Sequence, residues 1–281
     1  MRNAFVAGQF YPQDKNELVK LLESFEDNLD SEVLEKSLNN AKKVLAVISP
    51  HAGLAYSGQS AAYSYRALKS RMKKTSDRTF AVFCPSHTKR GSPNALSMED
   101  WQTPIGKVET NVKFAREMLS ASQYLEISEE AHQSEHSLEV QLPFLQHFFE
   151  NPLFAGVCIS QDENVLDIAE DLANAVVVAE KKLEQNVRVI ASSDFSHYEP
   201  AKIAKEKDEE AIKAICKLDK KKFAQLVFEK QLSICGFGPI LVAMNYAKKK
   251  GAREGVLLDF SNSGKVTGEN QVVDYASIAF V

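Results

Sequence analysis

Runs of apolar and β-branched residues alternate along this chain with segments of helical periodicity, and this alternation restricts the folds that it can adopt. The apolar runs span 43–49, 79–84, 154–159, 187–191, 255–260 and 272–281. The helical segments span 16–25, 59–72, 112–121, 137–149, 164–183, 200–217 and 239–249. The apolar runs are nearly continuous, which is typical of strands that helices cover on both faces.

The pattern therefore predicts an α/β protein, with a three-layer α/β/α sandwich around a mixed, mostly parallel sheet. The last two runs are joined by Ser-Asn-Ser-Gly-Lys, a turn-forming stretch that favours an antiparallel connection. No stretch rich in Pro, Gly or Ser interrupts the 281 residues, so we predict a single domain over 1–281.

The charge balance gives no field that would attract nucleic acid, because the formal net charge is −4. Lysines are frequent over 202–222 and 248–250, but Glu206, Glu209 and Glu210 interleave with the first group at helical spacing, as on a solvated helix face. The first residues lack a signal-peptide pattern, and no apolar run is long enough to cross a bilayer. We expect a cytoplasmic protein that binds neither membranes nor nucleic acid.

The four cysteines show no paired spacing, which favours a reducing compartment over a disulfide framework. Cys84 and Cys158 lie inside apolar runs, where a thiol behaves as a small hydrophobic group. We interpret these two as inert core residues.

Three apolar runs end in residues that can bind a metal. His51 follows the run 44–48, His87 follows 80–85 and Asp194 follows 187–191. Open α/β sheets bind their ligands beyond the carboxyl ends of the strands. Two imidazoles and one anionic group form the set that holds non-haem iron and leaves positions open, so the pattern predicts a metal site.

The sequence leaves the third ligand open. Asp194 would complete a two-His, one-carboxylate set, whereas Cys235 would give a softer set suited to copper, zinc or iron. Gly236 to Pro239 have the composition of a helix start, and a helix N-terminus lowers the pKa of a thiol. His197, three residues after Asp194, is predicted to act in proton transfer or to orient a ligand.

The segment from His132 to His136 spells H-x-x-E-H, an inverted zinc-protease motif in which Glu135 would be the general base. The other metal-binding candidates lie at strand ends, and no downstream helical glutamate pair supplies a third ligand. We therefore favour His136 as a residue lining the cavity. A P-loop, a dinucleotide-binding glycine motif and a G-x-S-x-G elbow are absent from the sequence, which argues against the corresponding enzyme classes.

Several separate motifs together resemble the Memo family, named for mediator of ErbB2-driven cell motility. They are Ala-Gly-Gln-Phe-Tyr-Pro at 7–12, Ser-Pro-His-Ala-Gly at 49–53 with Tyr-Ser-Gly at 56–58, Glu-His-Ser-Leu-Glu at 135–139, Gln-Leu-Pro-Phe at 141–144 and Ser-Ser-Asp-Phe-Ser-His at 192–197. The resemblance spans nearly the whole chain.

The resemblance implies a fold like that of the class III extradiol dioxygenases, which are non-haem iron enzymes that open catechol rings. It also implies a cavity formed by His51, His87, Asp194, His197 and Cys235. The ring-opening enzymes use two His and a Glu, whereas His51, His87 and Cys235 are a softer set. Animal members are linked to copper or iron redox chemistry and to phosphotyrosine peptides, and prokaryotic members are named for the AmmeMemoRadiSam system, which contains a radical enzyme.

The leading hypothesis is a redox enzyme in which His51, His87 and Cys235 hold iron or copper, or else zinc. Asp194, His197 and His136 would then handle protons and orient a small-molecule or peptide ligand. The alternative is a non-catalytic binding protein or scaffold whose cavity recognises an anionic phosphopeptide or small ligand. Lys89 and Arg90 would supply positive charge for such a ligand.

Overall fold

A mixed β-sheet lies at the centre of the molecule, in a computed structural model that describes residues 1–39, 41–72, 78–161 and 164–281. Its strands are β1 (Ala46–Ser49), β2 (Thr79–Pro85), β3 (Asn94–Leu96), β4 (Trp101–Gln102), β5 (Lys107–Thr110), β6 (Glu126–Ile127), β7 (Leu153–Ile159), β8 (Val187–Ser192), β9 (His197–Pro200), β10 (Gly255–Asn262) and β11 (Gln271–Phe280).

Helices flank this sheet. They are α1 (Lys15–Asp27), α2 (Ser31–Leu38), α3 (Leu54–Ser70), α4 (Val112–Ala121), α5 (His136–Glu139), α6 (Gln141–Phe148), α7 (Val165–Lys182), α8 (Ala201–Cys216), α9 (Lys220–Lys230), α10 (Phe237–Lys249) and α11 (Gly264–Thr267). A 3₁₀ turn covers Glu130–His132. Among the helices of these described residues, none is both long and apolar enough to cross a membrane.

The strand order across the sheet is β10-β11-β1-β8-β2-β7-β3-β6. The four central strands β1, β8, β2 and β7 run parallel to one another. The strands β10 and β11 are antiparallel, as predicted from the turn between them, and β11 also pairs antiparallel with β1. The sheet is mixed as expected. The strand pairings of the described residues divide equally, five parallel and five antiparallel, so the sheet is less parallel than predicted.

Both faces of the sheet are buried, which explains the continuous apolar runs. Ala46 and Ile48 of β1 pack in one hydrophobic cluster with helices that include α7 and α10. Val47 packs in a second cluster with helices that include α1 and α3. Successive side chains of a strand point to opposite faces, so a strand between two helical layers needs apolar residues at every position. The prediction of helices on both faces is confirmed.

The predicted strands and helices all occur, with small changes in their bounds. The single helix expected over 137–149 is two helices, α5 and α6, that meet at Val140. Pro143 lies in the first turn of α6, and its missing N–H cannot bond to the carbonyl of Glu139, so a continuous helix would lose a hydrogen bond there. The short strands β3, β4, β5, β6 and β9 and the helices α2, α9 and α11 were not predicted.

Candidate metal centre

The candidate metal ligands converge at the carboxyl edge of the parallel strands. His51 lies two residues beyond β1, His87 two residues beyond β2 and Asp194 two residues beyond β8. These three strands are direct neighbours, so their ends bring the following loops together. Cys235 does not follow a strand, because it lies in the segment between α9 and α10.

Three potential ligand atoms form a tight group. One nitrogen of His51, one nitrogen of His87 and the sulfur of Cys235 lie within 4.8 Å of one another, and His51 Nε2 is 3.2 Å from Cys235 Sγ. The ring centroids of His51 and His87 are 5.3 Å apart. His51 is 2% exposed, whereas the side chain of His87 is 33% exposed, so the group is open to solvent on the His87 side.

The hydrogen bonds around Ser192 fix the tautomer of His51. The hydroxyl of Ser192 donates its single hydrogen to the carbonyl of Ser137 at 2.7 Å and accepts a bond from Gln141 Nε2 at 2.9 Å. His51 Nδ1 lies 2.9 Å from the same hydroxyl oxygen and must therefore donate to it. The lone pair of His51 is then on Nε2, which faces Cys235.

A buried carboxylate orients His87 in the same way. Glu135 accepts the backbone N–H of His87 at 2.7 Å and lies 2.9 Å from His87 Nδ1. Burial raises the pKa of Glu135, but the hydrogen bond from His87 and its charge, together with bonds from Ser137, lower it to about 2. Glu135 is thus a carboxylate, and His87 donates from Nδ1 and keeps Nε2 available for a metal.

Asp194 lies against the ligand loops as a hydrogen-bond acceptor. Its carboxylate accepts the backbone N–H of His51 at 2.7 Å, and its own N–H donates to the sulfur of Cys235 at 3.2 Å. Burial raises the pKa of Asp194 to about 6, against the hydrogen bonds from the N–H groups of His51 and Ala52. Among the described residues, the groups of three potential ligand atoms within 4.8 Å of one another do not include the carboxylate of Asp194.

The thiol of Cys235 differs from expectation in its protonation. The helix start predicted after Cys235 is present, since α10 begins at Phe237 with Gly236 as N-cap. However, burial raises the pKa of Cys235 well above its usual value, and the negative charge of Asp194 adds to this effect. These effects favour the protonated thiol of Cys235, whose sulfur lies 3.2 Å from His51 Nε2 and 3.6 Å from the carbonyl of Asp194. A cation would have to displace this proton on binding.

Close packing between two loops holds Cys235 in place. The N–H of Gly236 donates to Ser193 Oγ at 3.0 Å. A Cβ atom on Gly236 would lie 2.3 Å from the Cβ of Ser193 and 2.5 Å from the carbonyl of Ser192. Only glycine allows the backbone after Cys235 to approach the end of β8 so closely.

Of the remaining predicted residues, His136 lies against the two imidazoles. His136 stacks on His87 with ring centroids 4.6 Å apart, and burial lowers its pKa to about 4. His136 also belongs to a second group of potential ligands with His87 and Glu135. His197 Nδ1 lies 2.8 Å from the carbonyl of Ser233, to which it must donate. Lys89 and Arg90 are exposed beside His87.

His132 does not join His136, which removes the geometry of an H-x-x-E-H zinc site. It belongs to the 3₁₀ turn, whereas His136 begins α5, and the two side chains do not share one helical face. His132 Nε2 lies 3.0 Å from the carbonyl of Ala95 and its Nδ1 lies 3.3 Å from Cys158 Sγ.

Glu135, Ser192 and Gln141 are the residues at this site that the sequence analysis did not assign. Glu135 was considered only as a protease base, and the other two only as members of motifs. Glu135 and Ser192 form hydrogen bonds with the imidazoles of His87 and His51, and Gln141 donates to Ser192. The partners are 48, 141 and 51 positions apart in the sequence. The sequence signal for these residues is that each is a polar residue in or beside an otherwise apolar segment.

The family model for Memo-like proteins matches residues 2–279. A MEMO1 family protein of Methanosarcina barkeri is 39% identical over 282 residues, which is 99% of each chain. Others from Thermoplasma acidophilum and Nitrosopumilus maritimus are 39% and 36% identical, and the alignments cover 100% of this chain and 98% and 100% of theirs. The resemblance drawn from the motifs is thus confirmed over the full length, and this chain belongs to the Memo family.

Proposed function

We propose that this protein binds one transition-metal ion, iron or copper, through His51, His87 and Cys235, and that it is a redox enzyme related to the extradiol dioxygenases. The observation that carries the proposal is the group of two imidazole nitrogens and one sulfur within 4.8 Å. Ligand bonds of about 2.0–2.3 Å allow two ligands of one ion to lie up to about 4.5 Å apart. The 3.2 Å between His51 Nε2 and Cys235 Sγ falls inside this span.

The chemistry of the donors favours these metals. Two imidazoles and a thiolate suit copper, iron and zinc and leave coordination positions open, whereas magnesium and calcium prefer oxygen ligands. Both imidazoles have a hydrogen-bond partner on Nδ1, an arrangement common among metal-binding histidines. When bound, iron or copper would supply one-electron and oxygen chemistry.

The protein's own residues would bind and orient the substrate on the open side. His87 is partly exposed, so a small-molecule or peptide ligand would reach the site past this residue. Asp194 contacts the loops of both His51 and Cys235. His197, three residues later, donates from Nδ1 and therefore carries its lone pair on Nε2. We assign proton transfer to Asp194 and His197, with His136 lining the cavity. A radical enzyme is the partner class that the family's prokaryotic association favours.

Metal analysis tests the first part of the proposal. Protein purified without chelator, and protein reloaded with Fe(II), Cu(I) or Zn(II), is expected to retain about one ion per chain. Replacing Cys235 by Ser should weaken copper binding far more than replacing Asp194 by Asn. Cys216→Ser, at the end of α8, is the matched control and should bind metal as the parent does. A protein that retains none of the three ions refutes the proposal.

Oxygen uptake tests the redox part. Fe(II)-loaded protein is mixed with a panel of catechols while oxygen consumption is measured, with His87→Gln as the comparison. Consumption that depends on both a catechol and His87 supports dioxygenase-like chemistry. If the loaded protein binds its metal but consumes no oxygen with any catechol, the relation to the ring-opening enzymes does not extend to their reaction.

A further inference from the structure

Two cysteines lie side by side at the centre of the sheet. Cys84 of β2 and Cys158 of β7 are register partners on adjacent parallel strands, and both are fully buried. Their sulfur atoms are 3.2 Å apart. The sequence predicted each to be an inert core residue. Only the pairing of β2 with β7 brings the two together, across 74 positions of the chain.

A histidine completes a row of polar atoms beside them. His132 Nε2 lies 3.0 Å from the carbonyl of Ala95, which can only accept, so the imidazole hydrogen is on Nε2. His132 Nδ1 therefore carries the lone pair, and it lies 3.3 Å from the sulfur of Cys158. The Cys158 thiol donates to His132, and the Cys84 thiol donates to Cys158. A thiol next to an imidazole lone pair has a base within reach.

The arrangement of Cys84, Cys158 and His132 fits a pair of thiols with a neighbouring base better than it fits a metal site. In the described part of the chain, the groups of three ligand atoms within 4.8 Å do not include Cys84, Cys158 and His132 together. Neighbouring strands are about 4.8 Å apart, and disulfides bridge Cα separations of about 4.4–6.8 Å. Register partners also point to the same face of the sheet. A bond between the sulfurs can thus form while β2 and β7 stay paired.

We propose that Cys84 and Cys158 form a reversible disulfide inside the folded protein, with His132 as the base and a peroxide as the oxidant. His132 Nδ1 takes the Cys158 proton, and the sulfur attacks hydrogen peroxide, which breaks the O–O bond and forms a sulfenic acid. The hydroxide released takes the proton from His132 and becomes water. The Cys84 sulfur then displaces the sulfenic oxygen, which leaves as a second water with the Cys84 proton. Two thiols and one peroxide give one disulfide and two waters.

The surroundings make the thiol of Cys158 slow to react. Burial, together with the Cys84 hydrogen bond, raises the pKa of Cys158 well above its usual value. Burial also lowers the pKa of His132 to about 4, so its lone pair is free at neutral pH. Only a small, uncharged oxidant can reach a fully buried pair, which selects hydrogen peroxide over bulky disulfides. The pair lies outside the proposed metal site and does not depend on it.

The test uses the full chain with Cys216→Ser and Cys235→Ser, which leaves only Cys84 and Cys158. The folded variant is treated with hydrogen peroxide, then denatured and alkylated, and its mass is measured. We expect loss of two hydrogen atoms, no alkylation, a single peptide pair joining residues 84 and 158, and full reversal by dithiothreitol. Adding Cys84→Ser should abolish the disulfide and leave Cys158 as a sulfenic or higher oxidation product. Adding His132→Gln should slow the reaction by roughly a hundredfold.

Three outcomes overturn the proposal. In the first, both thiols are still fully alkylated after peroxide treatment of the folded protein. In the second, the disulfide forms only once denaturant is added. In the third, it forms equally fast with His132→Gln, which would remove the base from the mechanism. Because the variant lacks Cys235, none of these results depends on whether the metal proposal is correct.

Discussion

At the scale of single residues, the candidate metal centre depends on side chains outside the proposed ligand set of His51, His87 and Cys235. Ser192 and Glu135 occupy the Nδ1 side of His51 and His87, so both imidazoles carry their lone pair on Nε2. Burial, and then the charges of the neighbouring histidines, lower the pKa of His51 well below its usual value. A neutral imidazole with its hydrogen on Nδ1 is the form that can bind a metal through Nε2.

Replacing Glu135 by Gln should weaken metal binding without removing a ligand. The amide has a smaller negative charge on its oxygen and can place a donor against His87 Nδ1, so the preferred tautomer of His87 is lost. Loss of such a partner typically costs about 10–100-fold in metal affinity. Competition with a coloured chelator measures the change.

The matched control for this change is Glu130→Gln, an exposed glutamate of the 3₁₀ turn five positions earlier. This variant should keep the parent's affinity. Equal affinities for all three proteins would show that Glu135 does not orient His87 for a metal, whatever its effect on stability.

Gly236→Ala should displace the segment that carries Cys235. The added Cβ meets Ser193 and a backbone carbonyl at distances that force a shift, and overpacking of this kind costs about 1–3 kcal/mol of unfolding free energy. Gly53→Ala is the comparison, because its Cβ would meet its neighbours at 3.6 Å, an ordinary contact distance. Urea denaturation should show the loss for Gly236 alone, and a larger loss for Gly53 would contradict the assignment.

At the scale of secondary-structure elements, β11 and α8 bring two carboxyl groups together in the interior. Asp274 of β11 and Asp208 of α8 are both fully buried, and Asp208 accepts the N–H and hydroxyl of Ser196. Burial, followed by the charge of Asp208, raises the pKa of Asp274 from its usual 3.8 to about 8. The contact connects β11 to the segment that follows Asp194.

Asp274 should make the protein less stable as the pH rises from about 4 to 8. In this window the folded state keeps the Asp274 proton while the unfolded state has lost it, so the folded state binds more protons and its stability falls with increasing pH. Asp274→Asn cannot ionise, and it should remove much of this slope. Unfolding free energies at pH 5 and pH 8 test the difference.

Asp167→Asn provides the control, since Asp167 is an exposed carboxylate in the first turn of α7. Its pH dependence should follow that of the parent. A slope in Asp274→Asn as steep as the parent's would mean that the Asp274 carboxyl is ionised throughout the window.

At the scale of the whole molecule, a buried ion pair attaches the N-terminal segment to the short helix α5. Arg2 donates to Glu139 at 2.6 Å and lies over the ring of Trp101 at 4.0 Å. Glu139 also accepts the hydroxyl of Tyr11 at 2.5 Å and backbone N–H groups of the N-terminal segment. Glu139 belongs to α5, the helix that begins with His136.

Arg2→Ala should destabilise the protein strongly. Removing one member of a buried pair leaves the other charge without its partner, which costs about 3–5 kcal/mol. Arg66→Ala removes a partly exposed pair with Glu26 and should cost less than about 1 kcal/mol. Denaturant unfolding compares the two, and similar losses would show that the Arg2 pair behaves as a surface contact.

Most of the longer strands and helices could be predicted from the sequence. The runs that became β1, β2, β7 and β8 are apolar at almost every position, so their identity did not depend on their neighbours. Short elements such as β6 and β9 are too brief to show a period, and they exist because an adjacent strand pairs with them. At the site, the positions of His51, His87 and Asp194 after strands were predictable, whereas the part of Glu135 was not.

The sequence by itself determined the layered α/β architecture and the family, because apolar period and local motifs are properties of neighbouring residues. Tertiary structure alone decided which distant groups meet. It placed Cys235 against His51, 184 positions away, and it brought Cys84 beside Cys158. It also decided protonation, since burial and the nearby charge of Asp194 raise the pKa of Cys235. The burial of a side chain and the charges around it depend on all the residues that the fold brings close to it. A local stretch of sequence does not determine them.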